Sequence, residues 1–457
     1  MKQTKFEMKN VLLLAIPLIL ANLTNAASNL IAMYLVAQIN ATALAAGAII
    51  TSTYGFIIMM VVSILYSISI MVGRMHGSRQ HHDIGSVVFA GIIIAIALGA
   101  PLTILTQHMN PIFVFLGQPI AVSSLASDYF KGLAFGLIPS LIGVVYMQLF
   151  MGAGSSKIIL PFTALGVIIN SLLTYACIFG YGPIPAMAIF GAGLANSITA
   201  YIMLIATLLY ALLSKRFFIY GLFKRESLHF KCMPVLLKIG TPISIQYATE
   251  LLAFSTLTYL MGTLGSDALA AQQITLQCSM IGIMTVMAIS QAGSILTSQA
   301  IGKNEQKRTL AIGNTAIILG TLIMLLMGMI YCFFPIQLIS LYLNINNPHM
   351  SETINLAKTI LFITVFTQLF DSGRNIAAGL LRGLGDTKTS MWTGIMSCWI
   401  IGLPAAVFFG FILDLGAPGV RLGMMLGIMI GCLNLLYKFY MQTGIDEANP
   451  LTSSMRI

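Results

Sequence analysis

Long apolar segments, separated by short polar stretches, dominate the hydropathy pattern of this 457-residue chain. Most of them run for about 20 to 30 residues, which lets an α-helix cross the hydrocarbon core of a bilayer. A helix satisfies its own backbone hydrogen bonds in lipid, so we expect each segment to be a transmembrane helix. The predicted spans are 11–38, 43–72, 86–106, 128–150, 158–180, 187–213, 236–264, 268–298, 310–334, 355–381, 389–413 and 418–441.

An internal repeat relates the first six predicted spans to the last six. At a shift of 225 residues, Pro17 aligns with Pro242, and Leu-Ala-Ala at 44–46 aligns with Leu-Ala-Ala at 269–271. Six spans per repeat is an even number, so both halves enter the membrane from the same side. We therefore predict an all-α polytopic membrane protein, with twelve transmembrane helices in two pseudo-symmetric six-helix bundles around a central cavity. The predicted limits are 1–213 for the N-terminal bundle, 214–235 for a basic linker, 236–441 for the C-terminal bundle and 442–457 for a cytoplasmic tail.

The charge distribution sets the expected orientation. Only 8% of the residues are charged and 58% are hydrophobic, a composition that excludes an ordinary water-soluble domain. Most of the 23 Lys and Arg residues fall on one side of the membrane, which places both termini in the cytoplasm. The linker 214–235 interleaves basic and aromatic residues, a pattern typical of a segment that lies on anionic lipid. We expect membrane lipids as partners, no nucleic acid, and a monomer.

Two carboxylates lie well inside predicted spans: Glu250 in the seventh and Asp371 in the tenth. A charge at this depth costs about 2.5–3.5 kcal/mol on insertion scales, so such acids usually belong to a transport pathway. Arg374 follows Asp371 at the i, i+3 spacing of a helical ion pair. Two interpretations of Arg374 stay open, because it either simply neutralises Asp371 or forms a switch that a cation opens.

Polar and adaptable side chains at helical spacing predict a substrate cavity, because a stripe of amides does not face lipid cheaply. The alternative is that the same amides only hydrogen-bond neighbouring helices to one another. Candidate cavity residues are Asn22, Asn25, Asn29, Asn170, Tyr247, Phe254, Gln273, Gln277, Met284 and Arg374. Pro17 and Pro242 occupy equivalent places in the two repeats, where each removes a backbone hydrogen bond and serves as a gating hinge or as a packing kink.

Enzyme motifs do not fit this chain. Residues 383–386 match the GxGD of intramembrane aspartyl proteases, but Asp386 falls in a basic loop, far in depth from Asp371. Such enzymes need two acids at one depth that share a proton. The sequence also contains no GxxxxGK[ST] phosphate loop and no HExxH zinc motif. We therefore expect a non-enzymatic protein with no cofactor.

The order of several motifs resembles the multidrug and toxic compound extrusion (MATE) family, and its NorM-like bacterial branch in particular. The resemblance extends over essentially the whole chain and depends on the order of the motifs more than on any single one. The motifs are Leu-Ala-Ile-Pro at 14–17, Ala-Leu-Ala-Ala at 43–46, Gly-Thr-Pro at 240–242, Glu250, Ala-Leu-Ala-Ala-Gln-Gln at 268–273, Asp371 and Leu-Arg-Gly-Leu-Gly-Asp-Thr-Lys at 381–388.

The resemblance implies a secondary active antiporter of the bacterial inner membrane that exports amphipathic, often cationic compounds by alternating access. It also implies that Glu250 and Asp371 serve the coupling cation, Na⁺ or H⁺, and Thr367 and Gln368 are candidate further ligands. The chain departs from the family pattern at Ala32 and Thr174, where some relatives carry acids, and at Arg374, where a neutral residue is expected. The alternatives are a flippase for a lipid-linked oligosaccharide, from a related superfamily, and a membrane scaffold or receptor.

Overall fold

The computed structural model describes residues 2–182, 185–222, 230–343 and 350–445. Across these ranges the chain is built of helices, without any extended strand. It divides into two compact units, which are described separately. We call Ile16–Ser244 the N-terminal unit, and Met1–Ala15 with Ile245–Ile457 the C-terminal unit. The bundle limits derived from the sequence, 1–213 and 236–441, stay a prediction.

The N-terminal unit packs its helices around two clusters of buried aliphatic and aromatic side chains. Asn40 caps the second helix, because its side chain accepts a hydrogen bond from the backbone N–H of Ala43. The helices are α1 (Lys2–Ala37, whose first residues belong to the other unit), α2 (Ala41–Gly77), α3 (Ile84–Gln107), α4 (Met109–Phe115), α5 (Ile120–Ala134), α6 (Leu137–Gly152), α7 (Ile159–Phe179), α8 (Ala188–Leu213) and α9 (Lys215–Phe218).

The remaining helices are α10 (Met233–Thr263, whose first residues belong to the N-terminal unit), α11 (Ser266–Gly302), α12 (Gln306–Phe333), α13 (Pro335–Ser340), α14 (Ser351–Leu384), α15 (Thr387–Ile395), α16 (Leu403–Val407) and α17 (Gly416–Ile445). Two π-helical stretches, Met396–Gly402 and Phe408–Ile412, flank α16. In the C-terminal unit, α14 packs most extensively against α11 and α17. The Ser290 hydroxyl on α11 donates to the Asn375 carbonyl on α14 at 2.6 Å, an interhelical hydrogen bond of the kind that holds membrane helices together.

The helices confirm the all-α polytopic prediction. Within the described ranges, ten helices are long and apolar enough to cross a membrane, and there are eleven if α5 and α6, which meet at 57°, count as one span. The residues of the fourth predicted span, 128–150, therefore form two helices with a bend rather than one straight helix. The seventh, 236–264, corresponds to α10, which has 31 residues but is not among those apolar helices. It carries Glu250 and several hydroxyl side chains.

The end of one predicted span needs correction. The tenth span was expected to end at 381 and to leave Arg382 in a cytoplasmic loop, but α14 continues to Leu384 and buries Arg382. The linker 214–235 is predicted to lie on lipid. Phe217 and Tyr220 are buried in the core of the N-terminal unit, where the Phe217 ring packs at a tilt against Phe150 with 5.0 Å between ring centroids. Phe218 and Phe230 are exposed, and the lipid contact of the linker stays a prediction. Residues 223–229 of the linker and 446–457 of the tail lie outside the described residues.

Candidate functional site

The two membrane carboxylates of the C-terminal unit meet at one guanidinium. Arg374 Nη1 lies 2.6 Å from Glu250 Oε1, and Arg374 Nη2 lies 2.8 Å from Asp371 Oδ1. Arg374 Nε also donates to the same Asp371 oxygen at 3.1 Å. The helical i, i+3 pair considered above is therefore formed, and it is extended by an acid from α10. We call Glu250, Asp371 and Arg374 the acid–arginine cluster.

Burial makes this cluster electrostatically strong. Arg374 is 1% exposed and Glu250 is 7% exposed, while the Asp371 side chain retains 18% of its accessible surface. Charges out of water attract one another far more than charges on a surface, and each costs several kcal/mol to desolvate unless it is paired. The single positive charge of Arg374 is balanced by two negative charges, so the three ionised residues together carry a net charge of −1. The cluster therefore keeps negative charge available to a second cation.

A second layer of hydrogen bonds positions Glu250. Gln246, one turn earlier on α10, donates to Glu250 Oε1 at 3.0 Å. Arg382 donates to Gln246 Oε1 and to the Tyr247 hydroxyl, both at 2.9 Å, and its guanidinium lies 4.8 Å from the centre of the Tyr247 ring. Sequence reasoning singled out Tyr247 but missed Gln246 and Arg382. The i, i+4 spacing of Gln246 and Glu250 was a usable signal.

The candidate cation ligands Thr367 and Gln368 are buried on α14 but make other contacts. The Thr367 hydroxyl donates to the Ile363 carbonyl at 3.0 Å, and the Gln368 amide donates to the Ser279 carbonyl of α11 at 3.2 Å. Thr367 keeps its oxygen lone pairs for a ligand, and Gln368 Oε1 is buried without a hydrogen-bond partner in the part of the chain that the structure describes. In the part of the chain that the structure describes, no group of three or more His, Cys, Asp or Glu residues is arranged to hold a metal ion.

Arg421 is a further buried cation that sequence reasoning counted only as an exception to the charge asymmetry. It lies in the second turn of α17 and is 3% exposed. Its Nη2 donates to the hydroxyl of Thr364 at 3.3 Å. Thr364 is on α14, seven residues before Asp371, so Arg421 packs against the face of α14 that carries Asp371.

The N-terminal unit contains a cavity of about 530 Å³, a volume typical of drug-sized sites. Three of the predicted residues line it: Asn25, Asn29 and Asn170. Its lining contains no Asp, Glu, Lys, Arg or His, and Ala32 and Thr174, where some relatives were expected to carry acids, are both part of it. Polar lining residues that were not predicted are Ser28, Thr51, Tyr54, Tyr129, Ser140, Thr163, Asn196, Thr199 and Thr207.

Two amides in this cavity already have partners on neighbouring helices. Asn170 donates to the Thr199 hydroxyl and Asn196 to the Tyr129 hydroxyl, each at 3.4 Å. These are long hydrogen bonds, so a ligand with a better acceptor competes with them readily. Asn22, which was predicted together with Asn25 and Asn29, is not among the lining residues.

The other predicted cavity residues lie in the C-terminal unit. Gln273 and Gln277 are exposed on α11, Met284 is half-buried on the same helix, and Phe254 packs against the apolar core of the unit. The buried glutamine of this stretch is Gln272 instead. The cavity described above belongs to the other unit, so these four residues do not line it.

Pro17 and Pro242 lie inside continuous helices, α1 and α10. The chain passes from one unit to the other between Ala15 and Ile16 and again between Ser244 and Ile245. Each proline is therefore within three residues of a crossing point. A proline removes one backbone hydrogen bond from its helix, so the helix bends most easily there.

Comparison with known proteins connects this arrangement to a family. The MatE family model matches residues 17–176 and 242–408, and the two matches begin 225 residues apart, the shift of the internal repeat. The chain is 28% identical to the multidrug resistance protein NorM of Burkholderia vietnamiensis, over 96% of this chain and 94% of that protein. It is 29% identical to a probable multidrug resistance protein NorM of Synechocystis sp., over 95% and 94%.

Solved structures agree on the fold. The outward-facing conformation of a multidrug resistance MATE family transporter of the MOP superfamily superposes with a TM-score of 0.88, at 19% identity over 97% of both chains. A eukaryotic MATE transporter superposes with a TM-score of 0.83, at 17% identity, over 97% of this chain and 98% of that one. Since the family model covers most of both halves, the chain belongs to the MatE family, whose members are multi-pass membrane transporters and not enzymes.

Proposed function

We propose that this protein is a secondary active multidrug efflux antiporter, which exports amphipathic, often cationic organic compounds in exchange for Na⁺ or H⁺ by alternating access. The observation that carries the proposal is the buried acid–arginine cluster in a member of the MatE family. The multidrug resistance names of full-length relatives support the substrate class.

The cluster supplies the coupling step. Arg374 acts as a built-in cation that links α14 to α10 through Glu250 and also binds Asp371 on its own helix. A coupling cation that neutralises Glu250 weakens the link between the helices directly, and one that neutralises Asp371 changes how the guanidinium is shared between the two acids. The two helices then repack, and the equilibrium between the two access states shifts. A ligand shifts such an equilibrium only by its difference in affinity for the two states, so substrate and cation must each prefer a different one.

We take H⁺ as the coupling ion to test first, because it makes the smallest demand on the geometry of the cluster. Both contacts of Arg374 with Asp371 use Oδ1. A proton binds a single carboxylate oxygen and needs no coordination shell. Na⁺ is a hard cation that needs several oxygen ligands, and Gln368 Oε1, which has no hydrogen-bond partner among the described residues, is available as one of them.

The cavity of the N-terminal unit is proposed as a substrate site. Its volume suits a drug-sized molecule, and its amides and hydroxyls provide hydrogen bonds without a fixed charge. Aromatic and methionine side chains in the lining, Tyr54, Phe162, Met33 and Met203, adapt to ligands of different shape. We do not propose the flippase alternative, because this lining has no Lys or Arg to hold a pyrophosphate.

The proposed location is the bacterial inner membrane, with both termini in the cytoplasm, surrounding lipids as partners and a monomer as the working unit. The asymmetric distribution of Lys and Arg supports this orientation.

Transport by the purified wild-type protein in liposomes tests the function. A fluorescent amphipathic dye is followed under a pH gradient at equal Na⁺, and then under a Na⁺ gradient at equal pH. We expect accumulation of the dye against its own gradient under the pH gradient. Accumulation only under the Na⁺ gradient would identify Na⁺ as the coupling ion instead of H⁺. Accumulation under neither gradient would refute the antiporter function.

A further inference from the structure

Arg421 is a buried cation with most of its hydrogen-bonding capacity unused. Apart from the bond of Nη2 to Thr364, its Nε and Nη1 have no acceptor among the residues that the structure describes. A guanidinium presents five N–H donors, and leaving such donors buried and unpaired costs free energy. An orphaned buried donor of this kind indicates an acceptor that the folded chain does not itself supply.

The two acids of the acid–arginine cluster are already engaged with other partners. Asp371 is close enough for its charge to act on Arg421, yet its Oδ1 accepts both hydrogen bonds from Arg374. Glu250 accepts from Arg374 and from Gln246. The Thr364 hydroxyl donates to the Ile360 carbonyl, so it can only accept from Arg421. None of these contacts gives Arg421 a counter-charge of its own.

The net charge of the residues around Arg421 also indicates a missing anion. Three buried arginines, Arg374, Arg382 and Arg421, are accompanied by two acids, Glu250 and Asp371. Arg382 is held by the neutral side chains of Tyr247 and Gln246. The acid–arginine cluster alone carries a net charge of −1, but when Arg382 and Arg421 are counted with it the five ionised groups carry a net charge of +1. An unpaired charge within a membrane segment is costly. A single monovalent anion would make the group of five residues neutral.

We propose that Arg421 binds a monovalent anionic group, either the carboxylate of a transported compound or a free small anion such as chloride. The forked N–H donors of arginine match a carboxylate, and a halide fits between the same donors. Asp371 keeps part of its surface exposed, so the face of α14 against which Arg421 packs is not fully covered at that point. If a transported compound supplies the anion, the proposal rests on the proposed function and extends it to compounds that carry an acid group.

A binding measurement without transport tests the site, so its failure is distinct from failure of the antiporter. The unfolding temperature of the full-length protein in detergent is recorded against sodium chloride or sodium acetate, with sodium isethionate, a bulkier anion, keeping ionic strength constant. We expect a saturable rise for wild type. Arg421→Gln should raise the half-saturating concentration at least about tenfold, the equivalent of one lost charge-assisted hydrogen bond. The half-saturating concentration of Arg421→Lys should fall between those of wild type and Arg421→Gln. Arg79→Gln, on an exposed loop, is the control and should match wild type.

A carboxylate dye and its methyl ester separate the two sources of the anion. If the substrate supplies it, the dye stabilises wild type at lower concentration than chloride does, and the ester does not. If a free anion occupies the site, chloride and acetate stabilise alike, and the dye acts no better than acetate. An absence of any saturable rise over isethionate in wild type overturns the proposal. A rise in unfolding temperature in Arg421→Gln equal to that of wild type also overturns the proposal. If Arg421→Gln does not fold, Arg421→Lys and Thr364→Val are measured instead. A rise equal to that of wild type in both of these variants then overturns the proposal.

Discussion

The guanidinium of Arg374 and the carboxylate of Glu250 are in direct contact, with Nη1 2.6 Å from Oε1, although 124 residues separate them in the sequence. The same guanidinium holds Asp371, one turn before it on α14. A cation that neutralises either acid must therefore compete with a side chain of the protein itself.

Replacing Arg374 by glutamine leaves the buried carboxylate of Glu250 and the partly exposed carboxylate of Asp371 without their cation. We expect Arg374→Gln to destabilise the protein by about 3–5 kcal/mol, the cost of breaking a buried pair. Thermal unfolding of the purified protein in detergent measures the loss. Adding Glu250→Gln should recover part of it, because one unpaired charge disappears, and purely additive losses would contradict the cluster.

The control for that experiment is the pair of Lys131 and Asp128 on α5. It has the same i, i+3 spacing, with nitrogen and oxygen 2.9 Å apart, but both side chains are about half exposed. Water and salt screen such a pair, so Lys131→Gln should change stability by less than about 1 kcal/mol.

Arg382 makes two contacts with Tyr247, a hydrogen bond and a cation–π contact, and two substitutions test them separately. Tyr247→Phe removes the hydroxyl that Arg382 binds but keeps the ring below the guanidinium. We expect a loss of about 1.5–3 kcal/mol, typical of a hydrogen bond to a charged group. Tyr247→Leu should cost about 1–2 kcal/mol more, because the cation–π contact also goes. Equal unfolding temperatures for the two variants would argue against the ring contact.

The neutral lining of the N-terminal cavity predicts a specificity change. Ala32→Asp places an acid in a cavity that has no charged lining residue. Transport of a cationic dye should increase relative to an uncharged dye by about tenfold, if the new contact contributes about 1.4 kcal/mol. The uncharged Ala32→Asn variant has nearly the same size and should leave the ratio unchanged. An equal change in both variants would mean that shape, not charge, controls selection.

Pro17 and Pro242, which lie near the crossing points between the two units, are predicted to affect the rate of transport. Pro17→Ala and Pro242→Ala restore a backbone N–H and stiffen their helices, so turnover should fall several-fold, by about 1 kcal/mol in the barrier. Dye binding to the detergent-solubilised protein should change little. Pro101, inside α3 of the N-terminal unit, is the matched control. Normal turnover in both variants, or the same loss in Pro101→Ala, would identify the prolines as ordinary packing kinks.

Sequence reasoning found the acids because an Asp or Glu inside a long apolar segment is conspicuous, and it found Arg374 because helical spacing is local. The contact between Arg374 and Glu250 joins two helices, and no local pattern specifies which side chains meet after packing. Arg382 was assigned to a loop because Gly-Leu-Gly-Asp follows it directly. Its partners Tyr247 and Gln246 lie 135 and 136 residues earlier.

Helix rotation is hard to predict from the sequence. A membrane helix can be apolar on its lipid face and on its packed face, so periodicity distinguishes the two poorly. On α11, Gln273 and Gln277 are exposed and Gln272 is buried. Residues that line an open cavity are also exposed, so the assignment of Gln273 and Gln277 to the cavity stays a prediction. On α1, Asn25 and Asn29 line the cavity of the N-terminal unit.

The most direct test of the central claim is gradient-driven transport by Glu250→Gln and Asp371→Asn in liposomes, under a pH gradient and under a Na⁺ gradient. Each variant keeps the size of the side chain and removes the charge that the coupling cation needs. We predict that both lose accumulation of dye against its gradient, yet still exchange labelled for unlabelled dye when no gradient is applied. Accumulation at the wild-type level by both variants under either gradient would contradict the account.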